Sequence, residues 1–197
     1  MNYLAHAYLS FGQAEILVGN MISDHVKGKT KFDFPPLIQL GIALHRSIDQ
    51  FTDLHPATRE AKEIFRPHYR LYSGAVVDVI YDHFLANDAN EFDERKLLAF
   101  SGDTYETLMK YARWFPEKFA LMFPYMRSQN WLYHYRRREG TAKSLQGLVR
   151  RSKYLTESET AFRLFTSHYQ LLGDLYRQFW QDIRPFAEKE LEILSNQ

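Results

Sequence analysis

The chain reads as a single compact all-α domain over residues 1–197, and three observations carry that reading. Apolar residues recur at helical spacing in long runs, two of which begin at a proline. Glycine and proline are scarce, at 9 and 7 residues against averages of roughly 7% and 5%, which leaves little turn material for an all-β chain. Strand-like alternation is almost absent. The stretch Gly74-Ala75-Val76-Val77-Asp78-Val79-Ile80-Tyr81 is β-branched enough for a buried strand, yet its apolar pattern continues to Leu85, a length that favours a helix.

The elements follow in order. Pro36 opens a run through Leu37, Ile38, Leu40, Ile42, Leu44, Ile48 and Phe51, because a proline at the first helical position forfeits no hydrogen bond. Pro56 opens the next, with Arg59, Glu60, Lys62 and Glu63 on its polar side. A third covers about Leu71 to Asn87 and is apolar on nearly every face from Gly74 to Leu85. Further helices are expected to start near Glu94, Asp103, Pro116 and Thr141. The last pattern runs from about Ser158 to Leu194, where Pro185 is expected to kink or break it. The breaks at Lys29–Phe34 and Asn87–Phe92 read as loops inside one domain.

Composition removes several function classes. There is no cysteine, which excludes disulfides, zinc ribbons, thiolate catalysis and iron–sulfur clusters. Lys+Arg is 25 against 24 Asp+Glu, a net charge of +1, so bulk electrostatics do not favour nucleic acid. No stretch approaches a membrane span. The start Met1-Asn2-Tyr3-Leu4-Ala5-His6 has no basic leader before an apolar run, so no signal peptide and a cytoplasmic protein are expected.

The informative residues are polar ones inside apolar helices. Ile38, Ile42, His45 and Asp49 follow i, i+4, i+7, i+11 and share one face, with Asp53 four residues further on. Asp78 and Asp82 form an i,i+4 pair within an apolar helix, where like charges repel and each uncompensated buried ion costs several kcal/mol. Such a site needs a cation, a proton or donors. Asp24 follows Val18-Gly19-Asn20-Met21-Ile22-Ser23 in a similar setting, and His6 also sits in an apolar segment. Convergence of Asp24, His45, Asp49, Asp82 and His83 on one or two divalent metals resolves these costs together. A sulfur-free His/carboxylate set suits manganese, iron or magnesium, and zinc less exclusively. The alternative is structural pairing of each acid with a nearby arginine: Arg46, Arg59, Arg66 or Arg70.

These residues resemble a known family. The opening Met1-Asn2-Tyr3-Leu4-Ala5-His6, then Gly19-Asn20-Met21-Ile22-Ser23-Asp24 with Gly28, are similar to the acyl carrier protein phosphodiesterases. So are His45-Arg46-Ser47-Ile48-Asp49 with Thr52-Asp53, Arg59-Glu60-Ala61 with Phe65-Arg66, and Asp78-Val79-Ile80-Tyr81-Asp82-His83-Phe84-Leu85. Trp131-Leu132, Tyr135-Arg136 and His168-Tyr169 extend the likeness over most of the chain. The resemblance implies a divergent all-helical relative of the HD-domain phosphohydrolases. It implies hydrolysis of the phosphodiester between 4′-phosphopantetheine and a serine of holo-acyl carrier protein by a metal-activated water, typically with manganese. On it, Asp24, His45, Asp49 and Asp82 are the leading ligands and His6 and His83 the next. Asp78 and Asp53 are placed to orient ligands or accept the water's proton, Arg46 to neutralise phosphoryl oxygens or pair structurally, and His83 to assist the leaving serine oxygen.

A carrier protein is acidic, so a basic docking face is expected. Arg136-Arg137-Arg138, Lys143, Arg150-Arg151 and Lys153 form the densest positive region, with Arg127, Trp131, Tyr133 and Tyr135 beside it. A solvated helix face is the plain alternative, and RNA ranks last at this net charge. Two rival functions stand beside the first. One is a metal-dependent phosphohydrolase of nucleotides or another small phosphodiester. The other is a non-catalytic helical binding protein whose 15 Phe, 13 Tyr and 3 Trp line an apolar cavity.

Overall fold

A computed structural model describes residues 1–196. Helix α1 spans Tyr3–Tyr8, and after a turn through Phe11 and Gly12, both at positive φ, α2 spans Ala14–Ile22. A 3-10 turn at Ser23–His25 and a six-residue 3-10 segment at Gly28–Asp33, where the sequence predicts a loop, lead to α3 at Pro36–Leu54 and α4 at Pro56–Tyr69. Both prolines occupy the first helical position, as their spacing predicts. Arg70 at φ 46° ends α4 and a 3-10 turn passes the chain into α5, Ser73–Ala86. Asp93 caps α6, Glu94–Lys110, by accepting from the Lys96 amide at 2.8 Å. Helix α7 is Glu117–Ser128, α8 the short Trp131–His134, α9 Arg138–Arg151, α10 Glu159–Ser167 and α11 Tyr169–Ser195. No strand occurs among the described residues, which makes the fold all-α.

Three boundaries differ from the sequence expectation. The helix from Glu94 runs unbroken past Asp103, with Leu97, Ser101, Thr104, Tyr105 and Leu108 buried at helical spacing along it. The helix expected near Thr141 begins three residues earlier, at Arg138. The C-terminal pattern divides at His168, between α10 and α11, while α11 continues through Pro185. A mid-helix proline costs roughly 3 kcal/mol. Here the buried stripe of Ile183, Ala187 and Leu191 straddles Pro185 and offsets that cost by packing, and the ring itself faces solvent.

The most intimate packing is α2 on α3. Gly19 and Gly41 meet at this crossing: a Cβ on Gly19 would stand 2.1 Å from the Ile38 carbonyl oxygen, and one on Gly41 2.3 Å from that of Ile16. Backbone touches backbone there, which only glycine permits. The consequence is functional, because the approach brings Asn20 of α2 against His45 of α3. Around this pair, α11 covers α3 and α4, while α5 packs on α1, α4 and α9. Phe51 stacks on Phe186 with centroids 4.4 Å apart, and Tyr81 on Phe179 at 5.1 Å. Buried side chains from Met1 to Leu191 join in one cluster. No helix among the described residues is long and apolar enough to cross a membrane.

Candidate metal centre

Three elements deliver the site. His6 comes from α1, Asp24 from the 3-10 turn after α2, and His45 and Asp49 from successive turns of α3. One ligand atom each from His6, His45 and Asp49 lies within 4.8 Å of the others. The two imidazole rings stack, with centroids 3.9 Å apart. Nε2 of His6 is 3.2 Å from Asp49 Oδ1, and Nε2 of His45 is 3.1 Å from Asp49 Oδ2 and 3.3 Å from Asp24 Oδ1.

Asn20 decides the proton positions. Its Oδ1 lies 2.8 Å from His6 Nδ1, and its backbone carbonyl oxygen 2.8 Å from His45 Nδ1. Both oxygens only accept, so both Nδ1 atoms carry hydrogen and it is Nε2 of each ring that turns toward the carboxylates. The Asn20 amide is itself fixed, because Nδ2 donates to the His6 carbonyl and to Ser10 Oγ. Donation of the distal ring nitrogen to a fixed acceptor is how metal-binding histidines are oriented. Nε2 of His6 is buried with no hydrogen-bond partner. A bare lone pair facing a carboxylate calls for a cation between them, and two imidazoles with carboxylates suit a divalent one.

The electrostatics separate the two rings. Burial holds His6 down near 4. Burial also works against charge on His45, but the hydrogen bonds it donates from Nε2 to Asp24 and Asp49 outweigh it and raise that ring to about 9. The His45 hydrogen bond in turn holds Asp24 down to about 2. A proton on His45 and a divalent cation therefore compete for the same carboxylates. Asp49 and Asp78 also share the α-amino group of Met1, at 3.2 and 3.1 Å. With 65% of its side chain exposed, Asp24 leaves the centre open to solvent on one side.

Other residues singled out in the sequence stand elsewhere. Asp82 is fully buried and accepts from the Leu4 and Ala5 amides at 2.8 and 3.1 Å. It serves as the cap of α1, whose own N-cap, Asn2, makes no side-chain capping bond. These two donors offset part of the cost of its burial, which still raises the carboxyl to about 7. His83 is enclosed by the Tyr135 carbonyl at 2.8 Å, Thr141 Oγ1 at 3.1 Å and Tyr169 OH at 3.0 Å, which ties α5 to α9 and α11. Adjacent residues point about 100° apart on a helix, and here neither turns into the His6–His45–Asp49 group. Asp53 pairs with Lys62 at 2.6 Å, and Arg46 donates to the Val26 carbonyl, two residues beyond Asp24. The basic region divides. Arg137, Lys143, Arg150 and Arg151 line one cavity, whereas Arg136 lies 4.0 Å from Glu94 and Arg138 sits over the Tyr169 ring.

Comparison with known proteins completes the picture. The profile of the acyl carrier protein phosphodiesterase family matches residues 1–183. The chain belongs to that family. It is 33% identical over 181 residues to the acyl carrier protein phosphodiesterase of Yersinia pestis, covering 91% of this chain and 94% of the relative. To the protein of that name from Escherichia coli O6:H1 it is 32% identical over 191 residues, 96% of this chain and 99% of the relative. No solved structure matches the chain.

Proposed function

We propose that the protein hydrolyses the phosphodiester linking 4′-phosphopantetheine to the serine of holo-acyl carrier protein, using a divalent cation held by His6, His45, Asp49 and Asp24. The observation that carries the reading is the pair of Nε2 atoms, fixed by Asn20 and aimed at two carboxylates, in a member of a family named for this reaction. The donor set fits manganese, with magnesium or iron(II) as its nearest substitutes. Bound there, the cation supplies Lewis-acid polarisation of the phosphoryl oxygens and lowers the pKa of the attacking water.

The chain's own residues do the rest. Asn20 keeps both rings in the ligating tautomer. Asp24 Oδ1 faces His45 while its exposed carboxylate borders solvent, where it closes the ligand set on the side from which the phosphodiester approaches. Arg46 anchors the segment that carries Asp24. Asp82 holds α1, and with it His6, in register. Asp78 offsets the buried ammonium of Met1. His83 takes no part in the chemistry and positions α9 instead.

Intact-mass analysis of holo-acyl carrier protein incubated with the protein and manganese tests the reading. Loss of the phosphopantetheine mass is expected, and none with EDTA or in the His6→Ala and Asp24→Ala variants. Unchanged holo-protein in the presence of folded, manganese-loaded enzyme refutes the assignment and transfers the site to a small phosphodiester.

A further inference from the structure

A cavity of about 1040 Å³ opens between α7, α8 and α9, at the top of the roughly 300–1,000 Å³ typical of small-molecule sites. Leu121, Met122, Tyr125 and Trp131 give it apolar walls. Leu121 and Tyr125, one turn apart on α7, are 68% and 62% exposed, and a large exposed apolar pair beside a cavity marks something that binds there. Five cations, Lys118, Arg137, Lys143, Arg150 and Arg151, line it against the single carboxylate of Glu139. Apolar walls under a cationic rim select a long amphipathic molecule with an anionic end.

The cavity adjoins the metal centre. Asn2, Tyr3 and His25 line it, and His25 follows Asp24 directly. The Tyr3 phenol donates to Met122 Sδ in the cavity wall at 3.4 Å, from the helix that carries His6. His25 Nε2 is buried and has no hydrogen-bond partner, an unmade bond at the junction of cavity and site.

We propose that this cavity receives the 4′-phosphopantetheine arm of the carrier protein, an inference that rests on the activity proposed above. The arm's pantetheine chain lies against Leu121, Met122, Tyr125 and Trp131. Its amides meet Asn2 and His25, and its phosphate stands at the Asp24 end. Hydrolysis adds the hydroxyl of water to phosphorus, breaks the bond to the serine oxygen and returns a proton to that oxygen. The resulting phosphomonoester dianion stays with Arg150 and Arg151. On this assignment the arginines of α9 read the arm itself, not the folded surface of the carrier protein.

Gly147 supplies the test. It lines the cavity from the middle of α9, and a Cβ there would meet only the Arg151 guanidinium, at 3.5 Å. Gly147→Leu fills the space while replacing a mid-helix glycine by a strong helix former, so the fold is retained. Calorimetric titration of free 4′-phosphopantetheine into manganese-loaded protein is expected to show binding that the substitution weakens at least tenfold. Melting temperature and manganese affinity are expected to hold, and kcat/KM on holo-carrier protein to fall by a similar factor. If the unsubstituted protein converts holo-carrier protein and Gly147→Leu matches it in kcat/KM and phosphopantetheine affinity, the cavity assignment is overturned and the hydrolase reading stands. If the unsubstituted protein leaves holo-carrier protein intact, that reading fails and this assignment fails with it.

Discussion

Replacing Asn20 separates metal affinity from stability. In Asn20→Ala the His6 Nδ1–H loses its acceptor in a buried setting, whereas the His6 carbonyl keeps the Ser10 hydroxyl at 2.8 Å. One orphaned buried donor costs about 1–3 kcal/mol and the remaining lost bonds about 1 more, so a loss of roughly 2–4 kcal/mol is expected. For a chain of this size that lowers the melting temperature by roughly 4–16 °C. Losing the partner that orients a ligating histidine weakens metal binding by about 10- to 100-fold. His45 is unaffected, because its acceptor is the backbone of residue 20. Asn20→Asp is the informative partner variant. It restores an acceptor for His6 Nδ1–H, so manganese affinity is expected within about threefold of the parent, while the lost Nδ2 donor and added buried charge still cost stability. Competition titration for manganese and thermal melts of both variants read the two quantities independently. A folded Asn20→Ala protein that binds manganese as tightly as the parent refutes the argument.

Three further outcomes follow from the same geometry. Asp82→Ala orphans the Leu4 and Ala5 amides, so about 2–4 kcal/mol of stability and most manganese affinity are expected to go together; melts and titration of the variant check this. His83→Ala is expected to cost a similar amount of stability yet leave manganese affinity within about threefold, since its partners are Tyr135, Thr141 and Tyr169. A tenfold loss of affinity would return His83 to the ligand set. His45 is raised to about 9 in the metal-free protein, so it holds a proton that a metal must displace at neutral pH. Manganese affinity is therefore expected to rise about tenfold per pH unit between 6.5 and 8.5, with close to one proton released per ion near pH 7. Calorimetry in buffers of different ionisation enthalpy measures that release, and a pH-independent affinity contradicts it.

The helices were legible because proline punctuation and apolar periodicity are local signals, and α3, α4 and α5 fall close to where those signals set them. His45 and Asp49 were legible for the same reason: they continue an apolar stripe at i,i+4, which a solvated pair has no cause to do. Asp82 shows the limit of that logic. A carboxylate inside an apolar helix announces that something compensates it, but not whether the compensation is a metal or two backbone amides 78 and 77 residues away. Asn20 carries a sequence signal of its own, a lone amide within the apolar run Leu17-Val18-Gly19-Asn20-Met21-Ile22. The Gly19–Gly41 contact that sets Asn20 against His45 is a tertiary approach, and one sequence does not state which glycines meet. Pro185 misled in the opposite direction, because the long-range packing of Ile183, Ala187 and Leu191 against the core outweighs a local breaking rule.

The borrowed cap of α1 has a consequence for the order of assembly. Six residues are too few for a helix to persist alone in water, and this one closes on a carboxylate that is synthesised 78 residues after Leu4. A nascent chain that has extruded His6, Asp24, His45 and Asp49 already owns every proposed ligand, yet cannot hold them together until α5 has emerged and docked. Competence to take up metal therefore waits for α5, so a chain that ends between Asp49 and Asp82 carries every proposed ligand without the contact that gathers them.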